Sequence, residues 1–173
     1  MDLKITACLA IVALLAAAPV AAQQTGFQDE LLDRFVGDWV LQGMIAGGEV
    51  THDIEAAWVL GHQYLRFHDV ARERDATGAI AYDATVFIGW DEPAGGYACL
   101  WLDSTGGGGL VADIIGRAQP NGDELAFLFP MGEGSVFHTT FAYDREQDTW
   151  EWRMDSERDG EFKPFARATM AKP

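Results

Sequence analysis

The feature that most constrains this chain is the regular spacing of its turn-forming clusters. Glycine, proline, aspartate and asparagine recur in short groups from residue 46 onward, and these residues supply the backbone dihedrals of tight turns. The stretches between the groups are rich in aromatic and β-branched residues and have the length of ordinary strands, so about ten strands are expected. The clusters are AGGE (46–49), LGHQ (60–63), DATG (75–78), DEPAGG (91–96), DSTGGGG (103–109), QPNGD (119–123), MGEG (131–134), DREQD (144–148) and ERDG (157–160).

Ten strands joined by hairpin-length loops predict a closed sheet. An open antiparallel meander of this size leaves two exposed edges, and closure into an up-and-down barrel removes both. One short helix is expected before the first strand, at 27–36, with Phe27, Leu31, Leu32 and Phe35 on one side. We therefore predict an all-β fold, an antiparallel up-and-down β-barrel of about ten strands with a short N-terminal helix. A β-sandwich is the alternative.

The first 22 residues predict an export signal. Lys4 gives a slightly positive start, an alanine-rich apolar run follows, and Val20 and Ala22 place small residues before a cut at Gln23. The apolar run is borderline for a membrane span, which needs roughly 20 residues, so an uncleaved anchor is the alternative. We predict a signal peptide at 1–22, one domain at 23–173 and a periplasmic or secreted location, without membrane association after cleavage.

The charge of the chain argues against two classes of partner. The formal net charge at pH 7 is −15, and the predicted signal removes one acid and one base, so the mature chain keeps this value. Such a surface repels phosphate backbones and anionic lipids, which makes nucleic acid and membrane surfaces poor partners. The mature chain holds one cysteine, Cys99, which therefore has no partner for a disulfide within the chain and is expected to be a small buried apolar group.

A glycine and a tryptophan, in Gly37-Asp38-Trp39, mark the junction between the helix and the first strand. The glycine lets the chain turn sharply, and the tryptophan can then fill the closed end of a barrel that the helix covers. This pattern resembles the G-x-W element of lipocalins and related calycins. In that family a basic residue of the last strand often packs over the tryptophan, and Arg167 is the matching candidate.

Three longer stretches extend the resemblance: GDWVLQG, LGHQYLRF and YDATVFIGWDEPAGGYACLWLDSTGG. Together they look like a bacterial family of lipocalin-like domains of unknown function. That family is distantly similar to the nitrobindin-type and fatty-acid-binding barrels. The resemblance implies a lipocalin-like barrel and leaves the activity open.

Alternation along 62–68 separates a polar face from an apolar one. His62, Tyr64, Arg66 and His68 share one face, and Leu65 and Phe67 share the other. The first interpretation points the apolar pair inward, because burying a charge without a partner is costly. The second makes the polar face a wall of the barrel interior, with Arg66 as a clamp for a ligand carboxylate.

Tryptophans recur on the strands that are expected to line the interior. In a wide barrel the side chains need not fill the whole interior, so a cavity for a small hydrophobic or aromatic molecule is expected. The predicted ligand-binding residues are Arg66, Trp58, Trp90, Trp101 and Trp152.

The four histidines do not have the spacing of a metal site. His52, His62, His68 and His138 form neither H-x-x-x-H nor H-E-x-x-H, and no cysteine pair accompanies them. We therefore predict no metal and no cofactor. Nitrobindin-type barrels hold haem through a histidine, but the residues around His138 do not match a pattern that can be transferred.

Three functions are compatible with this sequence. The leading hypothesis is an exported lipocalin-like barrel that binds a small apolar or amphipathic molecule. The second is an enzyme without a cofactor that uses a histidine as general acid or base inside the barrel, with His68, Tyr64 and His138 as the catalytic candidates. The third is a purely structural or protein-interaction role.

Overall fold

The structure of the protein is a computed structural model that describes residues 26–105, 110 and 115–173. The signal peptide predicted at 1–22 and residues 106–109 of the predicted turn at 103–109 lie outside the described residues. The helix is α1 (Glu30–Asp33), and the strands are β1 (Gly37–Ile45), β2 (Gly48–Val59), β3 (Tyr64–Ala71), β4 (Asp83–Asp91), β5 (Gly96–Asp103), β6 (Ile115–Ala118), β7 (Glu124–Pro130), β8 (Ser135–Asp144), β9 (Thr149–Arg158) and β10 (Glu161–Ala171).

The ten strands form one closed antiparallel barrel, which confirms the predicted fold class. Each strand pairs with its neighbours in the chain, and the first strand pairs with the last. In that seam Val40 lies opposite Ala171 and Ile45 lies opposite Ala166. Because this pairing leaves neither terminal strand as an edge, the β-sandwich alternative is wrong. In the part of the chain that the structure describes, no helix has the length and hydropathy that crossing a membrane requires.

Helix α1 is shorter than the predicted helix at 27–36 because Asp29 starts it late. The Asp29 carboxylate accepts hydrogen bonds from the backbone N–H groups of Leu31 and Leu32, at 3.0 and 2.8 Å, which is the geometry of an N-cap. Its other oxygen accepts a hydrogen bond from the Tyr97 hydroxyl at 2.6 Å. The N-cap therefore also fastens α1 to β5. Phe27, before the cap, stacks on Trp90 with ring centroids 5.8 Å apart.

Phe35 fills the end of the barrel that α1 covers, which we call the α1 end. Its ring lies parallel to that of Trp150, with centroids 3.5 Å apart. It also meets Phe67 and Phe141 edge-on, at 4.8 and 5.5 Å. Phe67 on β3 and Phe141 on β8 come from opposite sides of the barrel, so aromatic rings span the axis at this level. The expectation of an unfilled interior therefore does not hold in the α1 half.

Trp39 is buried beside this ring, as the sequence predicted, with 1% of its surface exposed. Its Nε1 donates a hydrogen bond to the Phe35 carbonyl oxygen at 2.6 Å. The basic group above its ring is Lys172, whose Nζ lies 3.6 Å from the ring centroid. The prediction that Arg167 takes this place is wrong. Arg167 alternates with two inward alanines of β10, so it points outward and pairs with Asp155 at 2.6 Å.

Replacing Gly37 with alanine is expected to lower the free energy of unfolding by about 1–3 kcal/mol. Gly37 has a φ of +125°, and a Cβ there would lie 3.0 Å from Lys172 Nζ. The substitution therefore strains the backbone and crowds the cation over Trp39. Urea denaturation followed by tryptophan fluorescence measures the loss. Gly48→Ala is the matched control, since its nearest atom beyond its chain neighbours is at 3.7 Å. Equal losses in both variants would contradict this account.

Candidate functional site

A buried histidine–aspartate pair lies inside the barrel, towards the end opposite α1. His52 on β2 and Asp69 on β3 have exposed fractions of 4% and 2%. His52 Nδ1 lies 2.8 Å from Asp69 Oδ1. The register places Ile54 opposite Asp69 and Ala71 opposite His52, so the two side chains are diagonal neighbours on the inner face.

Tyr82 and Trp101 extend the pair along the inner face. The Tyr82 ring stacks near the His52 ring, with centroids 5.6 Å apart and 25° between the planes. The Ala71 N–H donates to the Tyr82 carbonyl at 2.9 Å, which fixes Tyr82 just before β4. Trp101 Nε1 donates to the Tyr82 hydroxyl at 3.0 Å, and that hydroxyl keeps its own hydrogen to donate elsewhere. We call His52, Asp69, Tyr82 and Trp101 the inner polar cluster.

Two atoms in or beside the inner polar cluster are buried without a hydrogen-bond partner among the described residues. They are Asp69 Oδ2 and Trp152 Nε1. Leaving a buried polar atom unpaired costs about 1–3 kcal/mol. A molecule that offers a donor to Asp69 or an acceptor to Trp152 would remove that cost.

Burial is the largest influence on the pKa values of Asp69 and Tyr82. It raises the pKa of the Asp69 carboxyl above the ordinary value, although the hydrogen bond and charge of His52 act in the opposite direction. It also raises the pKa of the Tyr82 hydroxyl well above its usual range, against the hydrogen bond from Trp101. Tyr82 therefore stays protonated at physiological pH and acts as a neutral donor.

Trp101, itself a member of the cluster, and Trp152 form an aromatic floor between the other members of the cluster and the α1 half. Their strands, β5 and β9, are well separated around the barrel, yet the ring centroids are 5.6 Å apart. The Trp152 ring also lies 5.2 Å from that of Phe141, in the filled α1 half. Beyond this floor, towards the opposite end, the inner face carries three buried alanines: Ala71, Ala84 and Ala166. Phe129 and Met154 are buried in this half too. The two halves therefore differ in one respect: the half opposite α1 combines large apolar side chains with small ones and with the buried polar groups.

The polar face of β3 points outward. Tyr64 is 44% exposed, Arg66 pairs with Glu55 at 2.6 Å, and His68 lies 3.1 Å from Asp83. Leu65 and Phe67 take the inner face, with exposed fractions of 0% and 4%. The interpretation in which the polar face lines the interior is therefore wrong, and the candidates on it face no enclosed space. On the outer face Arg66 and His68 lie beside carboxylates and solvent, which avoids the cost of burying them in the interior.

His138 also lies on the outer face. It alternates with inward Thr139 on β8, and its Nε2 lies 2.7 Å from Glu157 Oε2. The Phe162 ring covers it, with centroids 5.0 Å apart. The structure does not bring His138 together with either His68 or Tyr64, because His138 is on the opposite side of the barrel from β3.

The four predicted tryptophans divide between the middle of the barrel and the α1 end. Trp101 and Trp152 form the floor described above. Trp58 and Trp90 lie at the α1 end on either side of Phe27, with Phe27–Trp58 centroids 6.3 Å apart. Trp58 Nε1 donates to α1 through Asp33 Oδ1 at 2.7 Å. Trp58 and Trp90 thus hold the N-terminal segment against the barrel, away from the inner polar cluster.

The described residues offer little for a metal or a thiol reaction. No group of three or more histidine, cysteine, aspartate or glutamate side chains within 26–105, 110 and 115–173 is placed to hold a metal ion. Cys99 is fully buried, and burial raises the pKa of its thiol well above the usual range. A thiol in this state is a poor nucleophile.

The sequence interpretation missed His52 and Asp69, although a signal for each is present. The apolar face of β3 continues from Leu65 and Phe67 to Asp69, which makes Asp69 an acidic residue in phase with two buried ones. His52 is likewise in phase with Ile54 and Ala56 on β2. A titratable residue on an apolar phase is a candidate for a buried functional group. Only the pairing of β2 with β3 shows that the two belong together.

Comparisons with known proteins assign no function to this site. The sequence matches no protein-family model, and a search of curated proteins gives no match. The closed ten-strand antiparallel barrel is consistent with a calycin-like fold, which is as far as the resemblance in the sequence is supported.

Proposed function

We propose that this protein is an exported barrel that binds a small amphipathic molecule at the end opposite α1, against the inner polar cluster. The observation that carries the proposal is the buried His52–Asp69 pair with its unpartnered Asp69 Oδ2. Taking a carboxylate and its imidazole partner out of water is costly, and apolar residues of similar volume often give a more stable protein. The presence of a titratable pair in the barrel interior therefore indicates a role other than stabilising the fold.

The surroundings of the pair suit a small ligand. The Trp101 and Trp152 rings supply a large apolar surface, and Tyr82 supplies a hydroxyl donor. Ligand sites commonly combine aromatic walls with a few polar groups that fix orientation. Ala71 lies opposite His52 and Ala84 lies opposite Asp69 in the strand register, and both alanines are buried, so a larger residue at either position would crowd the polar groups.

A larger side chain on the inner face beside Asp69 tests the proposal. Ala84→Met adds a long side chain to the inner face of β4, and Thr85→Met adds the same side chain to the outer face one residue later. The neutral dye N-phenyl-1-naphthylamine serves as the probe, and native mass spectrometry of the purified protein looks for a retained molecule. We expect saturable dye binding by the wild type, at least tenfold weaker binding by Ala84→Met and unchanged binding by Thr85→Met. Circular dichroism and thermal melting establish that both variants fold.

Two outcomes would contradict the proposal. One is the absence of both saturable dye binding and a retained molecule in the wild type. The other is an Ala84→Met variant that folds and binds the dye as tightly as Thr85→Met does.

A second candidate function is proton transfer by His52 without a cofactor. The hydrogen bond to Asp69 holds the His52 ring by Nδ1 and favours a proton there, which leaves Nε2 as the basic nitrogen. A carrier leaves its ligand unchanged, whereas an enzyme of this kind exchanges a carbon-bound hydrogen of the bound molecule. Incubating the retained molecule with the protein in D2O and measuring its mass distinguishes the two. Exchange that is lost in His52→Gln favours catalysis, and no exchange favours binding alone.

A further inference from the structure

We infer that the ligand of this site is a small organic cation, an amine on an aromatic or alkyl body, rather than a carboxylate or a neutral molecule. The inference rests on the proposed binding site and names the chemical class that the site prefers. Three independent observations carry it: an excess of carboxylates on the inner face, the absence of a buried Lys or Arg in the described interior, and a set of aromatic rings around the carboxylates.

Two carboxylates share the inner phase of neighbouring strands: buried Asp69, and partly buried Asp103, which accepts hydrogen bonds from the N–H and hydroxyl of Thr105. Ala84 pairs with Asp69 on one side and with Asp103 on the other, so the two acids flank one small residue across three neighbouring strands. Two strand spacings separate them, which is about 10 Å. The Asp69 side chain is 3% exposed, and its Oδ2 has no hydrogen-bond partner among the described residues. A primary ammonium group has three donors and can supply that missing bond.

Basic side chains of the strands pair on the outside. Arg66 pairs with Glu55, Arg153 pairs with Glu124, and Arg167 pairs with Asp155. The buried polar or charged residues in the described interior are His52, Asp69 and Thr139, with neither lysine nor arginine among them. Arg158 continues the inward phase of β9 but is exposed at the end of the strand. A ligand carboxylate would meet carboxylates in this space without a buried guanidinium to hold it.

The aromatic rings favour the same class of ligand. The Tyr82 hydroxyl joins Trp101 through a hydrogen bond, and Trp101 contacts both Trp152 and Phe129, with centroids at 5.6 and 6.5 Å. The faces of such rings attract cations, and the attraction is larger where water is excluded. The rings therefore supply both the apolar contact for the body of an amine and a favourable field for its charge.

Three probes of nearly equal shape test the charge preference: 2-phenylethylamine, 2-phenylethanol and phenylacetate. Each is titrated into the full-length mature chain at neutral pH, and binding is followed by displacement of N-phenyl-1-naphthylamine and by calorimetry. We expect the amine to bind at least tenfold more tightly than the alcohol, and the carboxylate to bind most weakly. Asp69→Asn is expected to abolish the tenfold preference for the amine while keeping binding of the alcohol.

Asp83→Asn is the matched control, because it removes the same charge from the outer face of β4. It is expected to keep the preference for the amine, which separates a local contact with Asp69 from the general effect of net charge. Equal or tighter binding of the alcohol or of phenylacetate would overturn the inference while leaving the proposed binding site in place. Failure of the wild type to bind the dye and all three probes would overturn the binding site itself, and the inference with it.

Discussion

Replacing Phe35 with alanine is expected to lower the free energy of unfolding by about 3–5 kcal/mol. The Phe35 side chain is fully buried and contacts aromatic rings from opposite sides of the barrel. Its removal leaves a cavity between Trp150, Phe67 and Phe141. The closed ring of strand pairs prevents the walls from moving inward to fill that cavity, so the cost falls at the upper part of the range.

Chemical denaturation followed by circular dichroism measures this loss. Phe162→Ala is the matched control, because the Phe162 side chain is 61% exposed, and a change of less than about 0.5 kcal/mol is expected for it. A Phe35→Ala variant no less stable than Phe162→Ala would show that the ring does not support the barrel.

Replacing His52 with leucine is expected to cost about 3–5 kcal/mol of stability at neutral pH. The substitution keeps an apolar side chain inside the barrel but leaves the Asp69 carboxylate buried without its partner. Replacing both residues, as His52→Leu with Asp69→Ala, removes the unpaired charge. The double variant is therefore expected to recover most of the loss, and thermal and urea unfolding of the variants measure the coupling.

An outer pair of the same chemistry provides the control. His68 and Asp83 lie 3.1 Å apart with side chains 45% and 49% exposed. Since exposed pairs contribute about 0–1 kcal/mol, His68→Leu is expected to lose no more than that. Similar losses in His52→Leu and His68→Leu would contradict the account in which burial makes the contact between His52 and Asp69 costly to break.

The stability deficit of His52→Leu is also expected to grow with pH. Burial raises the pKa of Asp69 in the folded protein above its ordinary value of 3.8, so the native state binds this proton more tightly than the unfolded chain does. The resulting stabilisation is complete below the ordinary value and is lost as the pH rises through the raised pKa. The hydrogen bond and charge of His52 lower the pKa of Asp69. Removing His52 therefore raises that pKa further, and the free energy of unfolding falls over a wider range of pH. Unfolding curves between about pH 4 and pH 8 measure the difference from the wild type.

Local patterns in the sequence were sufficient to predict the barrel. The turn clusters separate strands whose alternation is visible in the sequence, as in Trp150, Trp152 and Met154 of β9, which all point inward. Alternation also places Leu65 and Phe67 inside once the cost of burying Arg66 is considered. These features depend on residues close together in the chain, and periodicity reports them directly.

The features that the sequence did not predict depend on contacts between distant segments. Phe35 precedes the first strand, and nothing in its neighbourhood shows that its ring reaches the barrel axis. The cation over Trp39 is Lys172 and not Arg167 because the phase of β10, which shifts between Pro164 and Ala166, turns Arg167 outward. Likewise, the contact between His52 and Asp69 follows from the register of β2 against β3, which the turn lengths leave open.

The seam between β1 and β10 has a consequence for how the chain reaches its native state. Every other strand pair joins consecutive strands, so it can form while the chain is still being synthesised. The pairing of Val40 with Ala171 can form only after β10 has been made. Contacts this far apart carry a large loop-closure entropy and slow folding. Until the last strand arrives, β1 offers unpaired backbone groups to other molecules. Chains that lack β10 are therefore expected to aggregate more readily than chains that contain it.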